Sequence, residues 1–479
     1  MSIFLPELAL ITMALIFFIM SLAKPETSPK TFAVQRVALI MAVIVFLISI
    51  ISYKSSALLF FNAYKIDAFS QIFKIILSFG FLIVVALGTG VNTGLKGITK
   101  ELAAEYYMFL TLSVTGLVFL TSAVELLTIV ISLEISSFAL YVVIPFRHQD
   151  GYKKQMEAGI KYVMFGALAT GISLYGMSYI FGVAHTTYLA ELVTILPDLV
   201  QGQAIVVIGL ILMLASFFYK LAMFPMHFWA PDVYEGSANE TAGFIATLPK
   251  VGAVALLLRL VALAGVETTQ ITWILGTLAV LSMTLGNLSA LVQKDIKRLL
   301  AYSSIAHAGY IMIAVLCANN LGYEAAIYYI AGYILMNLAV FYVIYNVSEN
   351  GENVSFDNLK GLYKRSPILA LILAIAAFGM AGMPPTIGFL GKFMIFTAAI
   401  SKPLYAIVIL AVINAGIAAY YYLKLVRAAY INCEEDLPAI KLGLPKYIFG
   451  IFFIISILAA GIFPQSLMEL AKTAVDTIL

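Results

Sequence analysis

The sequence predicts an all-α polytopic membrane protein of about 14 transmembrane helices, built on two inverted five-helix repeats with discontinuous helices. Three observations predict it. Of 479 residues, 62% are hydrophobic and only 11% charged, more apolar surface than a water-soluble chain of this length could bury. Apolar runs of about 20 residues recur, the length that crosses roughly 30 Å of hydrocarbon. The basic residues between those runs collect in alternate loops. A β-barrel would instead show alternating strands of about ten residues, whereas the runs here are continuous.

The N-terminal segment, 1–104, holds spans 3–23, 37–53 and 68–89. The first begins close to Met1 with no basic leader, which reads as a retained span and not a cleaved signal. A first five-helix unit, 105–263, follows with spans 105–121, 124–145, 157–183, 203–225 and 241–263. A second unit, 271–430, contains 271–292, 299–318, 323–347, 367–400 and 403–430. The segment 431–479 adds a C-terminal span at 447–470. The stretch 367–400 is too long for a simple crossing, and Gly379, Gly382, Pro384 and Pro385 divide it into two half-helices. An odd number of helices per unit makes successive units enter the membrane with opposite orientation. Loops after odd-numbered spans carry most of the cations, among them Lys96, Arg147, Lys297 and Arg298. Loops after even-numbered spans, with the C-terminal tail, carry only Lys54, Lys65, Lys402 and Lys472. Both termini are therefore expected on the non-cytoplasmic side of the cell inner (cytoplasmic) membrane.

Several classes are excluded. A net charge of +3 spread over loops gives no sign of nucleic acid. Cys317 and Cys433 are too few and too far apart for a metal site or a disulfide framework. GTGVNTG at 88–94 follows a span with the wrong spacing for a dinucleotide loop. No metal or cofactor site is expected in this chain.

Chemistry is expected where charge enters the membrane. The stretch 210–258 carries Lys220 five residues before Pro225, and Lys250 directly after Pro249. An ammonium at mid-membrane costs about 2.5–3.5 kcal/mol on insertion scales. Two of them beside helix-breaking prolines suggest a buried ion path. Seven basic residues lie inside spans: Lys74, Lys161, Lys220, Lys250, Arg259, Lys392 and Lys424. Lys74 and Arg259 lie near span ends and are expected to snorkel. Glu134 is the carboxylate at the middle of its span, either a static ion-pair partner or a switchable one for Lys220. At about 4 Å and an effective dielectric near 20, such a pair is worth roughly 4 kcal/mol. Lys250 would accept a proton from Lys220 through water, or be tied to carbonyls that proline frees. Lys392 would be the exit group. Lys161 either relays or snorkels. His307 suits a relay near neutral pH or a helix-packing hydrogen bond. His227, beyond the break, reads as a loop residue. In each unit the fourth helix pairs a lysine with prolines (Lys220, Lys392), the fifth carries another lysine (Lys250, Lys424), and the second carries Glu134 or His307.

Three stretches, KLAMFPMHFWAPDVYEG (220–236), QKDIKRLLAYSSIAHAG (293–309) and GMAGMPPTIGFLGKF (379–393), resemble the proton-antiporter-like membrane subunits of respiratory NADH–quinone oxidoreductase, complex I. Within that family the chain is most similar to the subunit N type, given lysine at Lys392 and no long lateral helix after the last spans. The resemblance implies that Glu134, Lys220, Lys250 and Lys392 match the family's intramembrane charges, with Lys161, His307 and Lys424 as secondary candidates for the proton path. It implies NADH, flavin, iron–sulfur clusters and quinone in partner subunits, and other membrane-arm subunits, including homologous antiporter-like ones, as neighbours. The competing reading is a subunit of a multi-subunit cation/proton antiporter, which would work without an electron donor.

Overall fold

The computed structural model describes residues 2–22, 31–88, 95–148, 153–264, 269–432 and 438–478. Lys24, Lys30, Cys433 and most of the 88–94 glycine stretch lie outside the described residues. Among the described residues twelve helices are long and apolar enough to cross a membrane, and three shorter apolar helices accompany them. Helices dominate because hydrocarbon offers no partner to a backbone amide, so each segment must satisfy its own.

The N-terminal segment folds as α1 (Leu5–Ser21), α2 (Thr31–Ile51) and α3 (Ala68–Leu87). Between α2 and α3 lies a short hairpin, β1 (Ala57–Leu59) antiparallel to β2 (Tyr64–Ile66), which an all-α reading does not include. It sets Tyr64 and Asp67 at the mouth of α3, where Asp67 caps the helix by accepting from the Ser70 amide at 2.8 Å. The first unit follows: α4 (Ala103–Ser122), α5 (Leu126–Val143), α6 (Lys153–Ala184), the connecting α7 (Leu189–Gly202), then α8 (Ala204–Met213) and α9 (Ala215–Leu221) in one line, α10 (Trp229–Gly236) and α11 (Asn239–Ala264). The second comprises α12 (Thr269–Leu291), α13 (Ile296–Leu316), α14 (Asn320–Val347), two single-turn helices α15 (Phe356–Leu359) and α16 (Leu362–Arg365), then α17 (Pro367–Ala381), α18 (Ile387–Ser401) and α19 (Tyr405–Tyr430). The chain continues through α20 (Leu444–Ile462) to α21 (Gln465–Val475), which packs against α14 and α3.

Two helices are interrupted, as expected. The line α8–α9 stops at Ala222, which adopts φ 57°, and α17 stops at Gly382, with φ 87°. In each break the amide two residues past the last helical one bonds back to the same relative carbonyl, Met223 to Phe218 and Met383 to Phe378. This 6→1 closure is the Schellman form of a helix end. Pro249, by contrast, lies inside an uninterrupted α11.

The core is α11, α13 and α14, whose apolar windows are 94%, 94% and 89% buried, against 33% for α6 and α19 and 17% for α20. The outer helices present Leu, Ile and Phe outward, as a lipid-facing or subunit-facing surface requires. Close approach comes from glycine where backbones touch. A Cβ on Gly176 of α6 would lie 2.4 Å from the Met213 amide of α8. Such small residues let membrane helices pack without a hydrophobic driving force.

Candidate functional site

The site lies between the two breaks. A helix end leaves its last carbonyls without amide partners and carries partial negative charge. Each break meets that need with a lysine from elsewhere. Lys250 Nζ, from α11, donates to the Leu221 carbonyl at 2.8 Å, the last residue of α9, and to the Ser304 carbonyl at 3.2 Å. Lys392 Nζ, from α18, donates to the Met380 and Ala381 carbonyls at 2.9 and 3.1 Å, the last two of α17. Both ammonium groups also lie over tyrosine rings, Lys250 at 5.9 Å from Tyr333 and Lys392 at 5.0 Å from Tyr310. The carbonyl tether expected for Lys250 is present, but the freed carbonyl comes from the end of α9 and not from Pro249.

Lys220 differs. It sits in the last turn of α9, buried, and its Nζ has no hydrogen-bond partner among the described residues. Glu134 of α5 lies within electrostatic reach but not in contact. Its Oε1 accepts from Thr170 Oγ1 at 2.5 Å instead. The 4 Å ion pair expected from sequence is therefore absent among the described residues, because Thr170 on α6 holds the carboxylate.

His307 of α13 is buried between the lysines and bonded on both ring nitrogens. Nδ1 meets the Tyr329 hydroxyl at 2.5 Å and Nε2 the Tyr422 hydroxyl at 2.9 Å. Tyr422 continues to Ser303. A neutral imidazole donates with one nitrogen and accepts with the other, so this bracket can pass a proton by exchanging tautomers. Beside Lys250, Ser304 Oγ joins the Tyr234 hydroxyl at 3.2 Å and the Tyr333 hydroxyl at 2.8 Å, and Tyr333 donates to the Ala246 carbonyl at 3.1 Å. Sequence reasoning missed these tyrosines and serines. The signal was the run of Tyr323, Tyr328, Tyr329 and Tyr333 in one apolar helix, which the search for charge passed over.

The snorkelling expected of Lys74 and Arg259 is corrected, Lys161 takes its snorkelling alternative, and Lys424 lies at the outer face. Lys161 is 35% exposed on its side chain and held by Glu157 and Asp232, both at 2.5 Å, at the end of the bundle and away from the buried line. Lys424 is exposed, with its ammonium 4.7 Å from the Phe356 ring, so it does not enter the interior. Lys74 and Arg259 do not snorkel. Lys74 is fully buried and paired with Glu7 at 2.6 Å, and Arg259 grips both oxygens of Asp67 at 3.0 Å. In each case a carboxylate from another element, invisible to a span-by-span reading, supplies the counter-charge. The repeat also needs correction at residue level. Aligning the two breaks on Ala222 and Gly382 puts Met380 opposite Lys220, and Asp232 opposite Lys392. The lysines that close the two breaks are Lys250 and Lys392, one on each. His227 is buried beyond the first break, in the loop region expected.

At the rim, Asp232 and Glu235 of α10 meet Arg298, Lys161 and Lys154. Burial alone would raise both carboxyls. Hydrogen bonds from Lys161 and Arg298 outweigh it for Asp232, and those from Lys154 and Arg298 for Glu235, so each lies below its ordinary value.

A bundle of apolar helices with two broken members, each break closed by a buried lysine, defines an ion-translocating membrane subunit of the antiporter type. The sequence pattern of the family described as "NADH:quinone oxidoreductase/Mrp antiporter, TM" matches residues 123–418. The chain is 45% identical to "NADH-quinone oxidoreductase subunit N 2" of Solidesulfovibrio magneticus, covering 99% of both chains. It is 44% identical to the protein of the same name from Opitutus terrae, covering 99% of this chain and 98% of that one. Among solved structures it matches a chain of "Respiratory complex I from Thermus thermophilus with bound Aureothin" at TM-score 0.81 and 29% identity, covering 98% and 100%. A chain of the Mrp complex from Dietzia shares the fold at TM-score 0.84 and 18% identity, covering 98% and 96%. The chain belongs to the NADH:quinone oxidoreductase/Mrp antiporter family, in its NADH-quinone oxidoreductase subunit N branch.

Proposed function

We propose that this chain moves protons in the membrane arm of NADH–quinone oxidoreductase through Glu134, Lys220, Lys250, His307 and Lys392, driven by quinone reduction in other subunits. The observation that carries the assignment of residues is the buried line of proton-exchanging groups between the two breaks. Lys220 is the member held least, with no hydrogen bond to fix its proton. Glu134, released from Thr170, would draw a proton to Lys220, and its return to Thr170 would favour release. Lys250 stands next on the line, its Nζ bonded to the carbonyl of Leu221, the residue after Lys220, and it takes up a proton once it has passed its own onward. The Tyr329–His307–Tyr422 bracket carries the proton on toward Lys392. Moving one charge across 100 mV costs about 2.3 kcal/mol, within the roughly 4 kcal/mol that a Glu134–Lys220 pair at 4 Å would supply.

The leading helix and the broken α17–α18 pair would add two crossings to the twelve long helices. Taking Leu5–Ser21 as one crossing and the α17–α18 pair as one broken crossing gives fourteen, in units 105–263 and 271–430, with both termini on the non-cytoplasmic side of the inner membrane. Partners would be the other membrane-arm subunits, homologous antiporter-like ones among them, with flavin, iron–sulfur and quinone chemistry outside this chain.

The test is Lys220→Ala in the assembled complex in membrane vesicles, following donor-driven quinone reduction and proton uptake together. Assembly is checked first. Both activities are expected to fall. Wild-type levels of both would make Lys220 structural. Proton movement without dependence on an electron donor would favour the cation/proton antiporter reading instead.

A further inference from the structure

Lys250 is buried, and besides the approach through Lys220 a second one leads to it from the basic-loop side. Four observations converge on one seam. Lys297 sits at the start of α13, among the loop cations of the sequence pattern, yet it is fully buried and donates to the Ser237 carbonyl at 2.7 Å. Two turns deeper on the same face of α13 is Ser304, with the small Ala301 between them. One turn before Ser237 is Tyr234, whose hydroxyl meets Ser304 Oγ at 3.2 Å. Around the Lys297 end, four buried polar atoms have no protein partner among the described residues: Ser237 Oγ, Asn239 Oδ1, Glu240 Oε2 and Arg147 Nε. Each belongs to a residue that is no more than 2% exposed. Buried polar atoms of this kind are satisfied by internal water. Glu240 is the carboxylate among these four, with Oε1 accepting from the Lys96 amide at 3.1 Å and Oε2 left over.

We propose that protons also reach Lys250 along the α10–α13 seam, from water held by Glu240, Ser237, Asn239 and Arg147, with Lys297 as the proton carrier at the mouth, through the Tyr234 and Ser304 hydroxyls. This rests on the reading of Lys250 as a proton carrier. Each hydroxyl takes one proton on one side and gives one on the other, so nothing is consumed. The side chains that order the seam are fixed by strong bonds to carbonyls. Arg147 donates to the Glu235 carbonyl at 2.7 Å and to Gly351 at 3.0 Å, and it keeps α10 against the loops that close the cluster.

The experiment uses the assembled complex in vesicles, with donor-driven proton uptake and quinone reduction read together for Tyr234→Phe, Glu240→Gln, Lys297→Met, Lys297→Arg and Lys250→Ala. Tyr234→Phe removes one oxygen and keeps the ring, so it serves where Glu240→Gln or Lys297→Met fails to assemble. Tyr234→Phe and Glu240→Gln are expected to slow both activities at least fivefold. Lys297→Arg, which keeps the charge but cannot release its proton, is expected to be as slow as Lys297→Met. Wild-type rates for Tyr234→Phe with a slow Lys250→Ala would overturn the route and leave the function standing. A wild-type Lys297→Arg beside a slow Lys297→Met would make Lys297 a fixed charge and likewise overturn it. Wild-type rates for Lys250→Ala would remove the function reading itself, and the route with it.

Discussion

Glu7→Gln tests the reasoning about buried charge most directly. Glu7 Oε1 receives Lys74 Nζ at 2.6 Å and the Tyr64 hydroxyl at 2.6 Å, and both charged side chains are 0% exposed. Neutralising Glu7 leaves an ammonium in the interior with no counter-charge at contact distance. Removing one partner of such a pair costs about 3–5 kcal/mol, roughly two to three and a half powers of ten in the folded population. Removing both charges is different. In Glu7→Gln with Lys74→Met, an apolar stem fills the space and no ion is stranded, so the double variant should recover most of the loss. The assay is a double-mutant cycle: thermal loss of the assembled subunit in detergent for Glu7→Gln, Lys74→Met and the pair. The expected coupling is several kcal/mol with the double variant near wild type. A Glu7→Gln protein as stable as wild type, or a double variant worse than either single one, would refute the argument that the pair exists to neutralise charge.

Three other expectations follow from different parts of the fold. Gly176→Ala should destabilise by about 1–3 kcal/mol through overpacking, since its Cβ would lie 2.4 Å from the Met213 amide and 2.6 Å from the Gly209 carbonyl; thermal inactivation would show it. Asp232 and Glu235 have folded-state carboxyls below their ordinary values, so their ion pairs stabilise the α10 end at neutral pH. That contribution should fade as pH falls from about 5 through the lowered folded values, and hydrogen exchange in α10 should rise over that range and not on the alkaline side. Lys424→Ala should leave protons moved per quinone reduced unchanged, because the ammonium lies at the outer face beside Phe356; a changed ratio would return it to the path.

The fold class was legible because crossing a membrane is a local requirement. Span length, apolar content and loop charge are all read along the chain. The twelfth span announced its break because Gly382 supplies the positive φ that ends α17, beside Pro384 and Pro385. The end of α9 was less legible. Ala222 takes the left-handed conformation without being glycine, and only Pro225 hinted at it. Pro249 misled in the other direction. A proline within an apolar run suggests a break, but α11 is 94% buried over its apolar window, and its neighbours, including the Tyr333 hydroxyl on the Ala246 carbonyl, support the backbone.

The sequence by itself determined that this chain spans a membrane, that two crossings are discontinuous, and that Lys220, Lys250 and Lys392 carry charge into hydrocarbon. These follow from composition and from residues whose backbone limits act on the spot. Only the tertiary structure decided what each charge faces. It gave Lys74 to Glu7 and Arg259 to Asp67, and it set Lys250 and Lys392 on the two helix ends. Among the described residues it left Lys220 Nζ without a hydrogen bond, and it placed Glu134 on Thr170. Pairing energy depends on distance and on the dielectric between groups far apart in the chain, and neither quantity exists until the helices pack.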